Sequence, residues 1–181
     1  TMTKKSNIVN IDEVYGAEIV KRVSHLKTPI ITYGIVEKAD IYATNINYHL
    51  EGVDFTLNTP SGKIDINLNI PGEFSVYNAL AAASCGYVYD IDLEIIKKGL
   101  EAVEGVKGRF ELVPTNSDFT VIIDFAHTPD GLEKVLTTIE QFAEGRVVAL
   151  FGAGGNRDKT KRPIMGETVG KHADFLIVTS D

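Results

Sequence analysis

The spacing of apolar residues changes twice along this chain, and those changes constrain its fold more than any single residue does. Residues 53–59 alternate apolar and polar side chains, and Ile64, Ile66, Leu68 and Ile70 continue at period two. Between these runs Thr59-Pro60-Ser61-Gly62 is a turn sequence. Side chains leave a strand on alternate faces, so this is the pattern of an antiparallel hairpin or meander with one face in water. Residues 40–49 also alternate, with Ile41, Ala43 and Asn45 on one side and Tyr42, Thr44, Ile46 and Tyr48 on the other. Residues 30–34 read as a further short strand.

After Pro71-Gly72 the period becomes helical. Residues 74–88 are rich in alanine, and Leu93, Ile96, Leu100 and Val103 follow at helical spacing behind Asp92, a suitable N-cap. Gly105 and Gly108 then open a loop. From residue 119 the style changes again, to strand, helix, strand, loop, helix, strand. Residues 121–123, 147–151 and 175–178 are continuous apolar runs, as buried parallel strands show. Thr128-Pro129-Asp130 is a helix start: a capping hydroxyl, a proline at the first helical position and an acid at the positive end of the dipole. Leu132, Val135, Leu136, Ile139, Phe142 and Ala143 form its apolar stripe, and Gly145 closes it. Pro163 opens the next helix, with Met165, Val169 and Ala173 inward. The expectation is an α/β fold in two parts, with an antiparallel sheet and helices first. Three parallel strands with two crossovers follow, few for a complete doubly wound domain.

Composition narrows the functional classes. The 181 residues carry 18 Lys and Arg against 25 Asp and Glu, a net charge of −7. That balance argues against general nucleic-acid binding, which requires a basic face. No apolar run approaches the roughly 18 residues that a membrane-crossing helix needs. The N-terminal residues lack the apolar core of a secretory signal. The single Cys85 makes no internal disulfide, which fits a reducing compartment.

Ligands of open parallel sheets bind beyond the carboxyl ends of the strands. That rule selects three loops: residues 124–130, residues 152–159 and Thr179-Ser180-Asp181. The glycine-rich second loop has Arg157 where a dinucleotide fingerprint needs its third glycine, and the chain contains no P-loop. Arg157, Lys159, Lys161 and Arg162 instead form a basic island opposed only by Asp158. A planar guanidinium suits a carboxylate or phosphate, and a solvated basic turn fits the same composition equally well. Asp124, three residues before His127, suits a general base pair or a nucleotide or metal contact. Capping of the next helix by Asp124 and Thr128 is the more frequent use of such residues. His25, His49 and His172 lack metal-ligand spacing, and with Cys85 they make no zinc cluster. Arg109 after a glycine loop reads singly as an exposed arginine, and Asn78, mildly unfavourable inside an alanine-rich helix, as a side chain that could reach a partner.

Taken in order, four segments are more telling: residues 71–82 around Ser75-Val76-Tyr77-Asn78, residues 105–111 around Gly108-Arg109-Phe110, residues 124–130, and residues 154–166 from Gly154 to Gly166. This series resembles the Mur ligases over essentially the whole chain. Asn10-Ile11-Asp12 and Thr32-Tyr33-Gly34-Ile35 resemble them too. The resemblance implies a cytoplasmic, ATP-dependent ligase of peptidoglycan synthesis that uses Mg2+. Within the family it points to the member that joins a diamino acid to UDP-N-acetylmuramoyl-L-alanyl-D-glutamate through an acyl phosphate. It implies roles by position: Asn78 at the adenine, Arg109 near the ribose and phosphates, and Asp124 and His127 in the motif that closes over the nucleotide. It also implies Arg157 on the carboxylate of the incoming amino acid. Asp181 matches the first residue of an Asp-Asn-Pro-Arg motif that helps select meso-diaminopimelate over L-lysine. The basic stretch leans towards diaminopimelate, with L-lysine the alternative.

Phe125 stands where Tyr is usual in the family, and Ser75 where Asn is usual. The P-loop, the magnesium-binding residues, a carbamylated lysine and a UDP-binding domain all lie outside this sequence. The chain therefore reads as an internal fragment: residues 1–110 from the second half of the central ATP-binding domain, and residues 111–181 from the first half of a Rossmann-like C-terminal domain. As such it is expected to be inactive alone and to self-associate through exposed apolar strand edges, whereas the parent is expected to be a monomer. The alternatives are a superfamily amide ligase of folylpolyglutamate or cyanophycin type, or a non-catalytic module that binds anions at the Arg157 loop.

Overall fold

A computed structural model describes residues 5–35, 38–154 and 158–180. The chain divides into two compact units, Thr1–Glu104 and Gly105–Asp181.

The first unit is built on a five-stranded mixed sheet in sequence order. Strands β1 (Asn7–Asn10), β2 (Ile30–Gly34) and β3 (Ile41–His49) run parallel, and helix α1 (Gly16–Val23) links the first two. Strands β4 (Gly52–Thr59) and β5 (Gly62–Leu68) complete an antiparallel meander, in register from Val53 opposite Leu68 to Thr59 opposite Gly62. The expected hairpin is there, with its turn at residues 59–62. The parallel half of the sheet was not foreseen, because strands of four and five residues carry too little periodicity to declare a partner.

Strand β3 corrects the expected sidedness. Ile41 and Ala43 are buried, but Asn45 is exposed with φ +53°, and the β3–β4 register shifts between Thr44 and Asn47. A bulge adds one residue and so moves later side chains to the other face. Ile46 and Tyr48 thereby pack on the same core as Ile41 and Ala43.

That core joins Val53, Phe55, Leu57, Ile66 and Leu68 of the sheet to Val76, Ala79, Leu80 and Ala83 of helix α2 (Glu73–Val88) and Ile96 of helix α3 (Leu93–Glu101). The alanines let α2 lie close to the sheet. Gly86 does the same towards α3, since a Cβ there would stand 2.8 Å from Ile96 Cδ1. Asp92 caps α3 as expected, accepting from Glu94 N at 2.8 Å. Glu101 Oε1 fastens the other end, accepting from Asn67 N at 2.9 Å and pairing with Lys97 at 2.8 Å.

In the second unit a short strand β6 (Glu111–Val113) pairs antiparallel with β7 (Val121–Ile123). Helix α4 (Pro129–Glu140), strand β8 (Val148–Gly152), helix α5 (Lys161–His172) and strand β9 (Phe175–Thr179) follow, and β8 and β9 pair in parallel. Leu132 and Leu136 of α4 pack with Met165 and Val169 of α5 over Ala149, Phe151 and Leu176. Helix α5 begins at Lys161, two residues before the expected Pro163.

Two expectations are corrected here. The apolar runs suggest three parallel strands with two crossovers in one sheet, yet among the described residues β7 pairs only with β6, and β8 only with β9. Ile122 of β7, Leu132 and Leu136 of α4, and Ala149 and Phe151 of β8 line a shared open cleft of about 450 Å³. The apolar runs also suggest buried strands, yet Leu150 is 67% exposed and Val178 65%. Helices α4 and α5 cover one face only. An apolar run reports that a strand can be buried; it does not report which neighbour buries it.

Leu57 is fully buried, so Leu57→Ala should cost about 2–5 kcal/mol in urea unfolding of the first unit. Ile95→Ala, on the exposed side of α3, should stay within about 0.5 kcal/mol. Equal costs for the two would place the core elsewhere.

Candidate functional site

The candidate site of the second unit lies where β7 ends. Its organising group is Asp124, whose Oδ1 accepts from Ala126 N at 2.7 Å and whose Oδ2 accepts from Phe110 N at 2.8 Å. The first bond shapes the loop after β7. The second reaches back to the segment before β6. Gly108 and Phe110 there have φ +71° and +46°. Glycine takes that conformation readily, but Phe110 does so at a cost of about 1–2 kcal/mol. Burial offsets it: Phe110 is 3% exposed and its ring meets Phe142 edge-on at 6.2 Å.

This turn sets Arg109 over the ring of Phe125, with Cζ 4.8 Å from the ring centroid. The same ring meets His127 edge-on at 5.0 Å. His127 Nδ1 lies 3.1 Å from the Phe125 carbonyl, which can only accept, so Nδ1 carries the hydrogen in that bond. Lys161, from the start of α5, donates to the His127 carbonyl at 2.9 Å. Thr128 caps α4 through Gly131 N at 3.1 Å, so the expected hydroxyl cap is present. Asp124 takes no part in that cap. Its two bonds to backbone amides identify a clamp, a use that the spacing of Asp124 and His127 did not reveal.

The structure thus gathers three of the expected residues, Arg109, Asp124 and His127, and adds Phe125 and Lys161. Arg157 and Asp181 lie outside the described residues. Beside the former, Asp158 Oδ1 accepts from the Thr160 hydroxyl at 2.6 Å and from its N–H at 3.0 Å, which holds the carboxyl below its ordinary value. Among the described residues, no three His, Cys, Asp or Glu side chains form a group that could hold a metal ion. Nor is any helix long and apolar enough to cross a membrane.

Asn78 belongs to the first unit, exposed on the second turn of α2. Its neighbour Tyr77 donates to Asp12 Oδ2 at 2.9 Å, and the same oxygen accepts from Ile35 N at 2.6 Å. Asp12 therefore ties the ends of β1 and β2 to the helix that carries Asn78. Asp12 Oδ1 is buried without a hydrogen-bond partner. Burial, followed by the bond to Asp12, raises the Tyr77 hydroxyl well above its ordinary value of 10.0. Burial raises Tyr33 and Tyr48 too. A raised phenol stabilises the fold fully below its unfolded value, and the contribution is lost as pH climbs through the folded value. Wild type should therefore lose stability as pH rises above about 10, and Tyr77→Phe should lose less over that range. Parallel urea midpoints across it would remove Tyr77 from the account.

Comparison with known proteins bears on the same segments. Residues 2–86 match the Mur ligase middle domain, and residues 108–181 match the Mur ligase glutamate ligase domain. A UDP-N-acetylmuramoyl-L-alanyl-D-glutamate–2,6-diaminopimelate ligase of Clostridioides difficile (strain 630) is 46% identical over 179 residues, 99% of this chain. The chain spans about 37% of the length of such curated relatives. A solved structure of a ligase with the same description shares 29% identity and a TM-score of 0.69, covering 98% of this chain and 37% of that one. The apo folylpolyglutamate synthetase of Lactobacillus casei has a TM-score of 0.74 at 20% identity, over 96% of this chain and 41% of that one, a likeness of fold alone.

Proposed function

The chain belongs to the Mur ligase family, and on that premise we propose that it forms part of an ATP-dependent ligase that adds meso-diaminopimelate to UDP-N-acetylmuramoyl-L-alanyl-D-glutamate. The observation that carries the proposal is the 46% identity, over 99% of this chain, to a relative described as a diaminopimelate ligase. The folylpolyglutamate reading has only a shared fold behind it and is not favoured. The cytoplasm, where UDP-linked precursors are made, is the proposed location.

In the proposed reaction a carboxylate oxygen of D-glutamate attacks the γ-phosphorus of ATP and ADP leaves. The amine of diaminopimelate then attacks the acyl carbon and phosphate leaves. Positioning and charge neutralisation supply most of the catalysis in such transfers. Arg109 and Lys161 bring two cations to the loop after β7, suited to nucleotide phosphates. Asp124 has both oxygens engaged with backbone amides, so it acts here by holding Arg109 and the loop. His127 has its ring fixed by the Nδ1 bond. Asn78 is assigned to the adenine, and Arg157 and Asp181 to the incoming amino acid. Mg2+ enters the proposal as the ion that accompanies ATP. The described residues present no group for it, so no step is assigned through it. We also propose the division into residues 1–110 and 111–181, with Arg109 at its edge; by compactness the units separate between Glu104 and Gly105.

Full-length enzyme should release ADP in the presence of the muramyl dipeptide and meso-diaminopimelate, and mass spectrometry should show the tripeptide product. Release with L-lysine alone, or with a folate acceptor, would contradict the assignment. The isolated 181-residue chain should catalyse nothing, since its sequence contains no P-loop. Arg157→Ala should raise the KM for diaminopimelate about ten- to hundredfold, as loss of a charge-assisted bond predicts; an unchanged KM would remove Arg157 from the amino-acid site.

A further inference from the structure

We propose that Phe125 is a positioning residue for the nucleotide: it holds the Arg109 guanidinium on its ring face and so fixes where that charge meets the phosphates. The inference rests on the reading that Arg109 contacts ATP, and it extends that reading to a residue that the sequence marks only as a departure from the usual tyrosine.

Phe125 is 60% exposed, so its ring contributes little to the core. Its position is nevertheless defined from two sides. Arg109 Cζ stands 4.8 Å from the ring centroid, and the His127 ring meets it edge-on at 5.0 Å. Its backbone is pinned as well, because Asp124 Oδ1 holds Ala126 N and the Phe125 carbonyl holds His127 Nδ1. Arg109 is bounded by backbone on its own side, between Gly108 at φ +71° and Phe110, whose N–H is clamped by Asp124 Oδ2. The side chain leaving that turn is long and rich in rotamers, so a fixed turn alone does not fix its charge. The aromatic face does. It attracts the guanidinium electrostatically and leaves the edge N–H groups open to hydrogen-bond an anion. Fewer orientations are then given up when ATP arrives.

A leucine would keep the apolar bulk and remove the ring quadrupole; a tyrosine would keep the ring. In the full-length ligase, Phe125→Leu should raise the KM for ATP about three- to fivefold, as loss of an exposed cation–aromatic contact predicts. The KM values for the muramyl dipeptide and diaminopimelate should stay within about twofold, and the melting temperature should be unchanged. Phe125→Tyr should restore the ATP value. Arg109→Ala should raise it at least as far, and adding Phe125→Leu to Arg109→Ala should cause no further rise, because the ring would have no charge left to hold. An unchanged KM for ATP in Phe125→Leu, a rise equal for all three substrates, or additive effects in the double variant would overturn the positioning role. An unchanged KM in Arg109→Ala would overturn the reading beneath it, and this role with it.

Discussion

The geometry of the candidate site depends on a single carboxylate. Asp124 stands at the end of β7 and divides its two oxygens between its own loop and the backbone of Phe110. Without it, Phe110 would keep an unfavourable left-handed conformation and also leave an N–H without its partner, a loss of about 1–3 kcal/mol. The carboxylate thereby converts a glycine-rich approach to β6 into a fixed turn. That turn delivers Arg109 to Phe125, and Phe125 joins it to His127 and, through the His127 carbonyl, to Lys161. Arg109 and Lys161 thus both meet the loop after β7, in a chain that carries an excess of acid.

A comparable economy holds in the first unit. The alanine-rich face of α2 packs on a core drawn from β3, β4 and β5 and from Ile96 of α3. Asp12 reaches across from the end of β1 to the tyrosine beside Asn78. The helix assigned to the adenine is thus registered against the carboxyl ends of the parallel strands, where open sheets of this kind take their ligands.

Much of this was legible in the sequence. Period-two residues located β3, β4 and β5, and Asp92 and Thr128 announced two helix starts through the hydroxyl and carboxylate chemistry of capping. The bulge at Asn45 was not legible, because alternation on either side of it looks unbroken until the register is known. Strand partners in the second unit were equally hidden, since Val121, Ile122 and Ile123 are as apolar beside β6 as they would be in the middle of a parallel sheet. At the site, Asp124 was visible as a residue but not as a clamp. Its partner Phe110 lies 14 positions away, and the bond is to a backbone amide that no side-chain pattern records. Phe125 was noted only as a departure from a usual tyrosine. Its contacts with Arg109 and His127 arise from the turn geometry, which depends on that same hidden bond.

The proposed role of Arg109 is to receive the phosphates of ATP. A crystal structure of the full-length enzyme with a non-hydrolysable ATP analogue tests it most directly. The guanidinium of Arg109 should lie within hydrogen-bonding distance of a phosphate oxygen while still stacked on Phe125. A nucleotide bound with Arg109 turned away from it, its phosphates held by other groups alone, would remove Arg109 from the phosphate site.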